Sequence, residues 1–400
     1  MDMWTSRSVM SVIDYNTAVS TNTIFGYYSY MKFENMANMT QYLFKDSEYA
    51  NETEVNVYID LASILEKMYY SEMLIPKMPT TFASAIINLA GHVRMFFRSC
   101  CSVYANIFFV YSKNEWSVLR KMIPEWGQTN INHKKEKPYL TKYMDDSLKL
   151  VSEVCKYLPN VYYVEREEEA TCIMGMIIKQ ETSHPNIIIS KEINALQLAI
   201  NTNSFLYWKD CHKVGSHIHF GIGRDNLLEC YLKITRRWNP VYDGPGKAIF
   251  IRSIVTENGY KTEWIEKTKR LENIGYEVQK FNPDNFGLFL GMSHLISKDI
   301  KHLLNWTRAV KELNSYGSTP ITDYIELYNR LNNSCKIYKK ISYEDFNTRL
   351  MAVSVKDQVN LAEHLNGPIT GYKINLNDPD RLKYINDHYF KEDFIVLEKF

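Results

Sequence analysis

The chain has 400 residues, enough to bury a large core and to form two domains or one elaborated domain. Hydrophobic residues make up 45% of it and charged residues 23%, a composition that excludes wholesale disorder. The formal net charge of +1 lacks the basic excess that is typical of proteins bound to phosphate backbones. Binding of nucleic acid would therefore depend on local basic surfaces.

The cysteine usage and the absence of long apolar runs favour a cytoplasmic protein. Seven cysteines are scattered without a Cys-x-x-Cys pair, which indicates reduced thiols in a cytosolic setting. No charged-then-apolar leader is visible, and no apolar run reaches the roughly eighteen residues of a membrane span. We expect no membrane partner. Frequent Asn, Ile, Lys and Tyr are typical of AT-rich genomes, including viral ones, and a viral origin would place the protein in the host cytoplasm.

The first region, residues 1–54, mixes Ser, Thr, Asn, Tyr and Met without a sustained period. This pattern predicts an N-terminal arm, or a cap on the domain that follows. The last region, residues 212–400, has a weaker strand rhythm, with one candidate strand over Ala248–Val255. It is predicted to be mixed and mainly helical, with helices that include Trp264–Ile274, Phe286–Leu295 and Tyr343–Met351.

The middle region, residues 55–211, alternates between strand-like and helix-like segments. Its apolar runs predict five strands, over Val55–Ile59, Ile107–Tyr111, Val161–Val164, Ile187–Ile189 and Phe205–Trp208. Helices are predicted between them, over residues 61–70, 81–99, 140–157, 168–178 and 193–199. Such alternation implies right-handed crossovers. It predicts an α/β fold with a mostly parallel sheet that is covered by helices on both faces.

Three acidic residues occupy equivalent places in this pattern. Asp60 ends the first predicted strand, Glu169 opens the helix after the third, and Glu192 follows the fourth. The carboxyl ends of parallel strands share one edge of a sheet, so these carboxylates are expected to meet in one crevice. Carboxylate oxygens suit Mg²⁺ or Mn²⁺. The competing explanation is that acids are favoured at helix N-termini for structural reasons alone.

The segments that carry these acids resemble the 5′-3′ exonuclease and flap endonuclease family, within the broader PIN-like nucleases. The resemblance covers roughly residues 55–208. "YIDLASILEKMY" is similar to the family's first strand with its metal-binding Asp, here Asp60. "VEREEEATCIMGMI" resembles its Glu-Ala-Asp-Asp element, with Glu169 matching or, after a one-residue slip, Glu168. "IIISKEINALQL" resembles its Ser-x-Asp-x-Asp-x-x-Gln-Leu element, in which Ser190, Gln197 and Leu198 match.

The same comparison shows losses of charge. Neutral residues stand where the family has aspartates, at Tyr111-Ser112, Thr171, Cys172 and Asn194, while Glu192 is a conservative replacement. Two-metal hydrolysis holds two divalent ions about 3.5–4 Å apart and needs several carboxylates to offset their repulsion. The resemblance therefore implies a reduced site of Asp60, Glu169, Glu192 and Asn194. It has room for one Mg²⁺ or Mn²⁺ ion, or for none if the site is vestigial.

Basic residues that could contact phosphates lie in two predicted segments. Arg94 and Arg98 are one turn apart on a helix, and Arg120 and Lys121 lie in "NIFFVYSKNEWSVLRKMIPEW", which resembles a family segment with an Arg and a Pro-aromatic turn. These four residues are the predicted nucleic-acid contacts, although for Arg94 and Arg98 salt-bridged surface arginines are the more common explanation. In the distal half, "NPDNFGLFLGMSHLI" is only a faint match to the family's duplex-gripping element.

The sequence thus predicts a catalytically degenerate flap-nuclease-like protein that binds nucleic acid or acts as a structural subunit of a nucleoprotein assembly. Nucleic acid, as DNA or RNA, and other protein subunits are the expected partners. The alternative is an active Mg²⁺- or Mn²⁺-dependent 5′ nuclease that uses the reduced carboxylate site. A third possibility, favoured by the near-zero net charge, is a protein scaffold that does not bind nucleic acid.

Overall fold

The computed structural model describes residues 51–62, 79–113, 123, 138–190, 192–210, 218–224, 227–235, 240–242, 248–256, 259–265, 277–278, 280–295, 309–317, 320–333 and 341–390. Within these ranges, a six-stranded sheet forms the centre of the fold. Helices pack on both of its faces, each over its own apolar core. Residues 1–50, predicted as an arm or cap, lie outside the described part of the chain.

The central sheet contains all five strands that the sequence predicts. Its strands are β1 (Glu54–Asp60), β2 (Tyr104–Ser112), β3 (Val161–Arg166), β4 (Asn186–Ile189), β5 (Ser204–Asp210) and β6 (Ile218–Ile222). Their order across the sheet is β3-β2-β1-β4-β5-β6. The first five are parallel, and β6 pairs antiparallel with β5. The predicted α/β class is confirmed, and β6 extends the sheet beyond residue 211.

The helices between and after these strands have the following bounds: α1 (Pro79–Cys101), α2 (Pro138–Cys155), α3 (Ala170–Gln180), α4 (Leu227–Ile234), α5 (Phe286–Leu295), α6 (Tyr324–Asn333), α7 (Tyr343–Val353), α8 (Val355–Asn366) and α9 (Pro379–Ile385). Two 3₁₀ helices span Ile193–Ile200 and Pro283–Asn285, and a π-helical turn spans Asn386–Phe390. No helix in the described ranges has the length and hydropathy needed to cross a membrane.

A second sheet lies within the region predicted as mainly helical. It consists of β7 (Pro240–Tyr242), β8 (Ala248–Thr256) and β9 (Gly259–Ile265), paired antiparallel in the order β7-β8-β9. The predicted strand Ala248–Val255 is confirmed as β8. The helix predicted from Trp264 is wrong at its start, because β9 runs through Ile265 and pairs with β8 there.

Alternation along the strands divides their side chains between two cores. Val57 and Ile59 point to the face covered by α1 and α2, which we call the α1-side core. Tyr58 and its neighbour Phe108 point to the face covered by α3 and the C-terminal helices, which we call the α3-side core. Each fully buried apolar side chain stabilises the fold by about 1.5–3 kcal/mol. Burial on both faces explains why these strands read as continuous apolar runs.

Residues 367–390 connect the two cores around the amino edge of the sheet. Ile369 packs in the α3-side core, whereas Ile385 is buried in the α1-side core. Between them, the Leu376 amide donates to the carbonyl oxygen of Lys156, 2.8 Å away, in the connection that leads from α2 to β3. The C-terminal segment is therefore an integral part of the α/β unit.

Candidate functional site

The strand order reverses beside β1, which creates a crevice at the carboxyl edge of the sheet. β2 and β3 lie on one side of β1, and β4 and β5 lie on the other. Ligand sites of open α/β sheets form at such a switch point. Ile59 is in register with Ile189, so the next residues, Asp60 and Ser190, leave the sheet side by side. Asp60 lies two residues after Tyr58 and therefore points to the α3 side.

Asp60 is fully buried and both of its carboxylate oxygens accept hydrogen bonds. The Ser190 hydroxyl donates to Oδ2 at 2.8 Å, and the Ala62 amide donates to Oδ1 at 3.1 Å. The Ser190 hydroxyl in turn accepts from the Glu192 amide at 3.1 Å. Such bonds offset the large desolvation cost of a buried carboxyl group. Asp60 thus joins the end of β1 to the turn after β4.

Two consecutive glutamates lie before α3 in different environments. Glu169 is the N-cap residue of α3 and is 6% exposed. Glu168 accepts from Arg166 Nε at 3.2 Å and from the Asn366 amide nitrogen at 2.8 Å. Burial opposes ionisation of Glu168, but these hydrogen bonds outweigh it and lower the pKa of its carboxyl group. Glu169 is therefore the buried acid at the helix start, and Glu168 is held between β3 and the end of α8.

The other two predicted ligands lie farther toward solvent. Glu192 is exposed and directly precedes the 3₁₀ helix Ile193–Ile200, in which Asn194 is half-buried. The part of the chain that the structure describes contains no group of three or more His, Cys, Asp or Glu arranged to hold a metal ion. The predicted convergence of Asp60, Glu169 and Glu192 on one ion is not found there.

The neutral replacements are also in place around the crevice. Tyr111 and Ser112 end β2, and Thr171 and Cys172 are buried in the first turn of α3. The Thr171 hydroxyl has no hydrogen-bond partner among the described residues. Burial, assisted by the charges of Glu168 and Glu169, raises the pKa of the Cys172 thiol to about 12. In the absence of a metal ion, a thiol with such a pKa is protonated at neutral pH and is a poor nucleophile.

The residues present do not fit a pair of divalent ions. Two such ions close together require several ionised carboxylates directed at them, to offset their mutual repulsion. Here the oxygens of Asp60 already accept from Ser190 and Ala62, and Glu168 is bound by Arg166. Donor groups of the chain itself therefore satisfy part of the acceptor capacity of these carboxylates, and they add no negative charge that a metal pair would need.

Charge along this edge favours cations over phosphates. Within the described ranges, acidic side chains at the carboxyl edge outnumber basic ones; the acids are Asp60, Glu165, Glu167, Glu168, Glu169 and Glu192, and the bases are Lys113 and Arg166. Lys113 forms an ion pair with Glu165 at 2.8 Å. An excess of negative charge repels a phosphate backbone. Any nucleic-acid contact at this edge would need basic residues from other parts of the chain.

Arg94 and Arg98, two of the predicted nucleic-acid contacts, lie at the edge of the sheet opposite the crevice. The Arg94 guanidinium donates to the carbonyl oxygens of Pro159 at 2.5 Å and Ala105 at 3.4 Å, both at the amino ends of strands. Burial lowers the pKa of Arg94 to about 10. Arg98 is exposed and stacks over Tyr104, the first residue of β2, at 5.9 Å. Arg120 and Lys121 lie outside the described residues.

The distal segment with the faint family match is fixed by an ion pair. Arg224 contacts both carboxylate oxygens of Asp284, at 2.7 and 2.8 Å, and also donates to the Ile200 carbonyl oxygen. These hydrogen bonds lower the pKa of Asp284. Ile200 directly precedes the turn whose Asn203 carbonyl accepts from Asn186 at the start of β4. Asp284 therefore lies toward the amino edge and not in the crevice.

Asn366 was not identified from the sequence as a residue of the crevice rim. Its amide contacts Glu168, which lies 198 positions earlier in the chain, and no local sequence pattern predicts a pair at that separation. Ser190 did carry a signal, because it matches the first residue of the Ser-x-Asp-x-Asp element. The signal identified its position but not its hydrogen bond to Asp60.

Comparisons with known proteins yield structural similarity only. No family model and no curated protein match the chain. Two structures of the catalytic core of Rad2 with DNA substrate are similar, with 12% and 10% identity, TM-scores of 0.38 and 0.37, and coverage of 85% and 84% of this chain and 88% of theirs. A bacteriophage T5 flap endonuclease complex with DNA and metal ions has 13% identity and a TM-score of 0.38, over 83% of this chain and 98% of that one.

The solved structures that resemble the chain thus include a flap endonuclease, the class that its motifs resemble. At TM-scores below 0.5, this similarity carries no conclusion about activity, substrate or metal content. The α/β class is established by the strand order and the parallel pairing of the sheet itself.

Proposed function

We propose that this chain is a flap-nuclease-like protein with a degenerate metal site, acting as a nucleic-acid-binding or structural subunit of a nucleoprotein assembly. The observation that carries the proposal is the burial and hydrogen bonding of Asp60. This acid of the switch point is buried, with Ser190 donating to one carboxylate oxygen and Ala62 to the other. It serves the fold in the position where a metal-dependent nuclease would use it to hold an ion.

Loss of charge around Asp60 supports the same proposal. The end of β2 and the first turn of α3 present Tyr111, Ser112, Thr171 and Cys172, none of which adds a carboxylate. Phosphodiester hydrolysis by two metal ions depends on charge that these positions do not supply. Glu169 and Glu192 are the remaining acids, and one of them is exposed.

Binding of nucleic acid is the less constrained part of the proposal. The similar solved structures are complexes with DNA, which motivates it. The acidic carboxyl edge argues that phosphates are contacted elsewhere, and Arg120 and Lys121 remain the predicted contacts together with exposed Arg98. A cytoplasmic or viral assembly, in which other protein subunits supply the basic surface, accommodates the near-zero net charge.

The active-nuclease alternative has one observation in its favour. Asp60 and Glu169 are both buried at the carboxyl edge, and a buried acid at a switch point is costly unless it is used. The hydrogen bonds of Asp60 provide a structural use for one of these acids.

The proposal is tested by cleavage and binding assays on the purified full chain. A labelled 5′-flap DNA and a matching RNA are incubated with Mn²⁺, beside an Asp60→Asn variant that keeps the shape of the side chain and removes its charge. We expect that neither protein cleaves the substrates. Both proteins should bind them with an affinity that falls as the salt concentration rises, because each phosphate contact releases counterions. Cleavage that the variant lacks would establish the active nuclease instead. If the protein binds neither substrate at any salt concentration, the remaining interpretation is a protein scaffold that does not bind nucleic acid.

A further inference from the structure

Gln197 connects the sheet to the C-terminal helices through both atoms of its amide. It lies on the 3₁₀ helix that follows β4 and is 6% exposed. Its Nε2 donates to the Val353 carbonyl oxygen at 2.7 Å, and its Oε1 accepts from the Val355 amide at 3.0 Å. A buried amide with both atoms bonded to one short stretch of backbone fixes position and orientation together.

The stretch that Gln197 holds is the corner between α7 and α8. Val353 is the last residue of α7 and Val355 is the first residue of α8, with Ser354 between them. Helix ends leave backbone groups without intrahelical partners. Ser354 satisfies one, because its hydroxyl accepts from the Asp357 amide at 3.2 Å. Gln197 satisfies two more from a part of the chain more than 150 residues earlier.

The space around Gln197 depends on a glycine in a third element. A Cβ atom at Gly287, in α5, would lie 2.9 Å from Gln197 Oε1 and 3.7 Å from the Ser354 hydroxyl. No real Cβ contact is that short without a shift of one partner. The side chain of Gln197 therefore occupies a junction of three elements, and a side chain at residue 287 would require the Gln197 amide to shift from its hydrogen-bonded position.

The far end of α8 reaches the crevice. Along its length α8 packs closely on α3, where a Cβ at Gly175 would lie 2.8 Å from Val359 Cγ2. At its C-terminal end, the Asn366 amide donates to Glu168 at the rim, 2.8 Å away. One helix thus links the corner held by Gln197 to an acid that follows β3 at the carboxyl edge of the sheet.

We propose that Gln197 is a positioning residue that fixes the α7–α8 corner on the sheet and thereby holds Asn366 against Glu168 at the crevice rim. The C-terminal helices are then a fixed wall of the crevice and not a unit that moves independently of it. This inference does not depend on whether the crevice binds nucleic acid or metal.

The test is amide hydrogen exchange on the full chain, comparing peptides from residues 341–366 with peptides from β1 and β2. Gln197→Leu keeps the approximate volume and removes both hydrogen bonds. Gly287→Ala leaves Gln197 in place but directs a methyl group at its Oε1. Asn186→Ala is the matched control, since it removes a buried amide that bonds Asn56 and Ser204 at the other edge of the sheet.

Both Gln197→Leu and Gly287→Ala are expected to speed exchange over residues 341–366 about tenfold or more relative to β1 and β2, because buried backbone groups lose a partner. Asn186→Ala should not produce this selective change. The Gly287→Ala result is diagnostic, since alanine ordinarily stabilises a helix relative to glycine. Exchange over 341–366 that stays unchanged in both variants, or that rises equally in β1 and β2, would overturn the proposal.

Discussion

Replacing Asp60 by alanine is expected to destabilise the fold by about 1–3 kcal/mol, mainly because the buried Ser190 hydroxyl loses its acceptor, while the exposed Ala62 amide can turn to water. The Ser190 hydroxyl donates to Asp60 at 2.8 Å and the Ala62 amide donates at 3.1 Å. Each buried donor left without a partner costs about 1–3 kcal/mol. Relief from the cost of burying the carboxyl group offsets part of this loss.

Asparagine at the same position separates structure from metal binding. In Asp60→Asn, the side-chain oxygen still accepts from the Ala62 amide, and the new amide nitrogen can donate to the Ser190 oxygen, although the Ser190 proton loses its acceptor. The free energy of unfolding should therefore fall by less than it does in Asp60→Ala. A metal ligand would behave differently, because removing its charge weakens the ion site although the shape is kept.

The measurement is chemical denaturation of wild type, Asp60→Ala and Asp60→Asn in EDTA, followed by circular dichroism. The slope of unfolding against denaturant reports whether the three proteins unfold to comparable states. If Asp60→Asn is destabilised as much as Asp60→Ala, or if neither variant differs from wild type, the reasoning on the Ser190 and Ala62 bonds is refuted.

Three further outcomes follow from buried groups away from the crevice. Arg94→Met should cost about 1–3 kcal/mol in denaturation, by freeing the carbonyls of Ala105 and Pro159, and should leave the salt dependence of nucleic-acid binding unchanged. Burial lowers the pKa of His92 from 6.5 to about 4. The free energy of unfolding of the wild type should therefore fall as the pH drops from 6.5 to 4, by at most about 3 kcal/mol. His92→Phe should lack this loss when thermal unfolding is measured at a series of pH values. Ile385→Ala should cost about 2–5 kcal/mol if the C-terminal segment completes the α1-side core, and unchanged thermal unfolding would contradict that.

The five parallel strands could be predicted because each is an apolar run of strand length buried on both faces. β6 was not predicted, because "IHFGI" alternates apolar and non-apolar residues over only five positions and contains a glycine, which weakens the strand signal. The helix predicted over Trp264–Ile274 is wrong at its first two residues, and the rest of it lies outside the described part of the chain. The spacing of apolar residues in "GYKTEWI" fits both a strand and a helix. The segment is a strand because it pairs with β8, which lies outside the segment.

The position of Asp60 could also be predicted, because it ends a buried strand. Its partner could not, since Ser190 lies 130 residues away and becomes a neighbour only through the strand order. Helical spacing correctly placed Arg94 and Arg98 one turn apart but did not show which edge they reach. The short connection from α1 to β2 indicates the edge, because residues shortly before a strand lie at the amino end of that strand, here beside Tyr104.

The central claim is that Asp60 serves the fold and not a metal ion, and a metal titration of the folded chain tests it most directly. Thermal unfolding of wild type and Asp60→Asn is followed as Mn²⁺ is raised into the millimolar range. An ion bound at about 100 times its dissociation constant would stabilise the protein by about 2.7 kcal/mol. We predict the same small response in both proteins. A Mn²⁺-dependent rise in melting temperature that wild type shows and Asp60→Asn lacks would contradict the account.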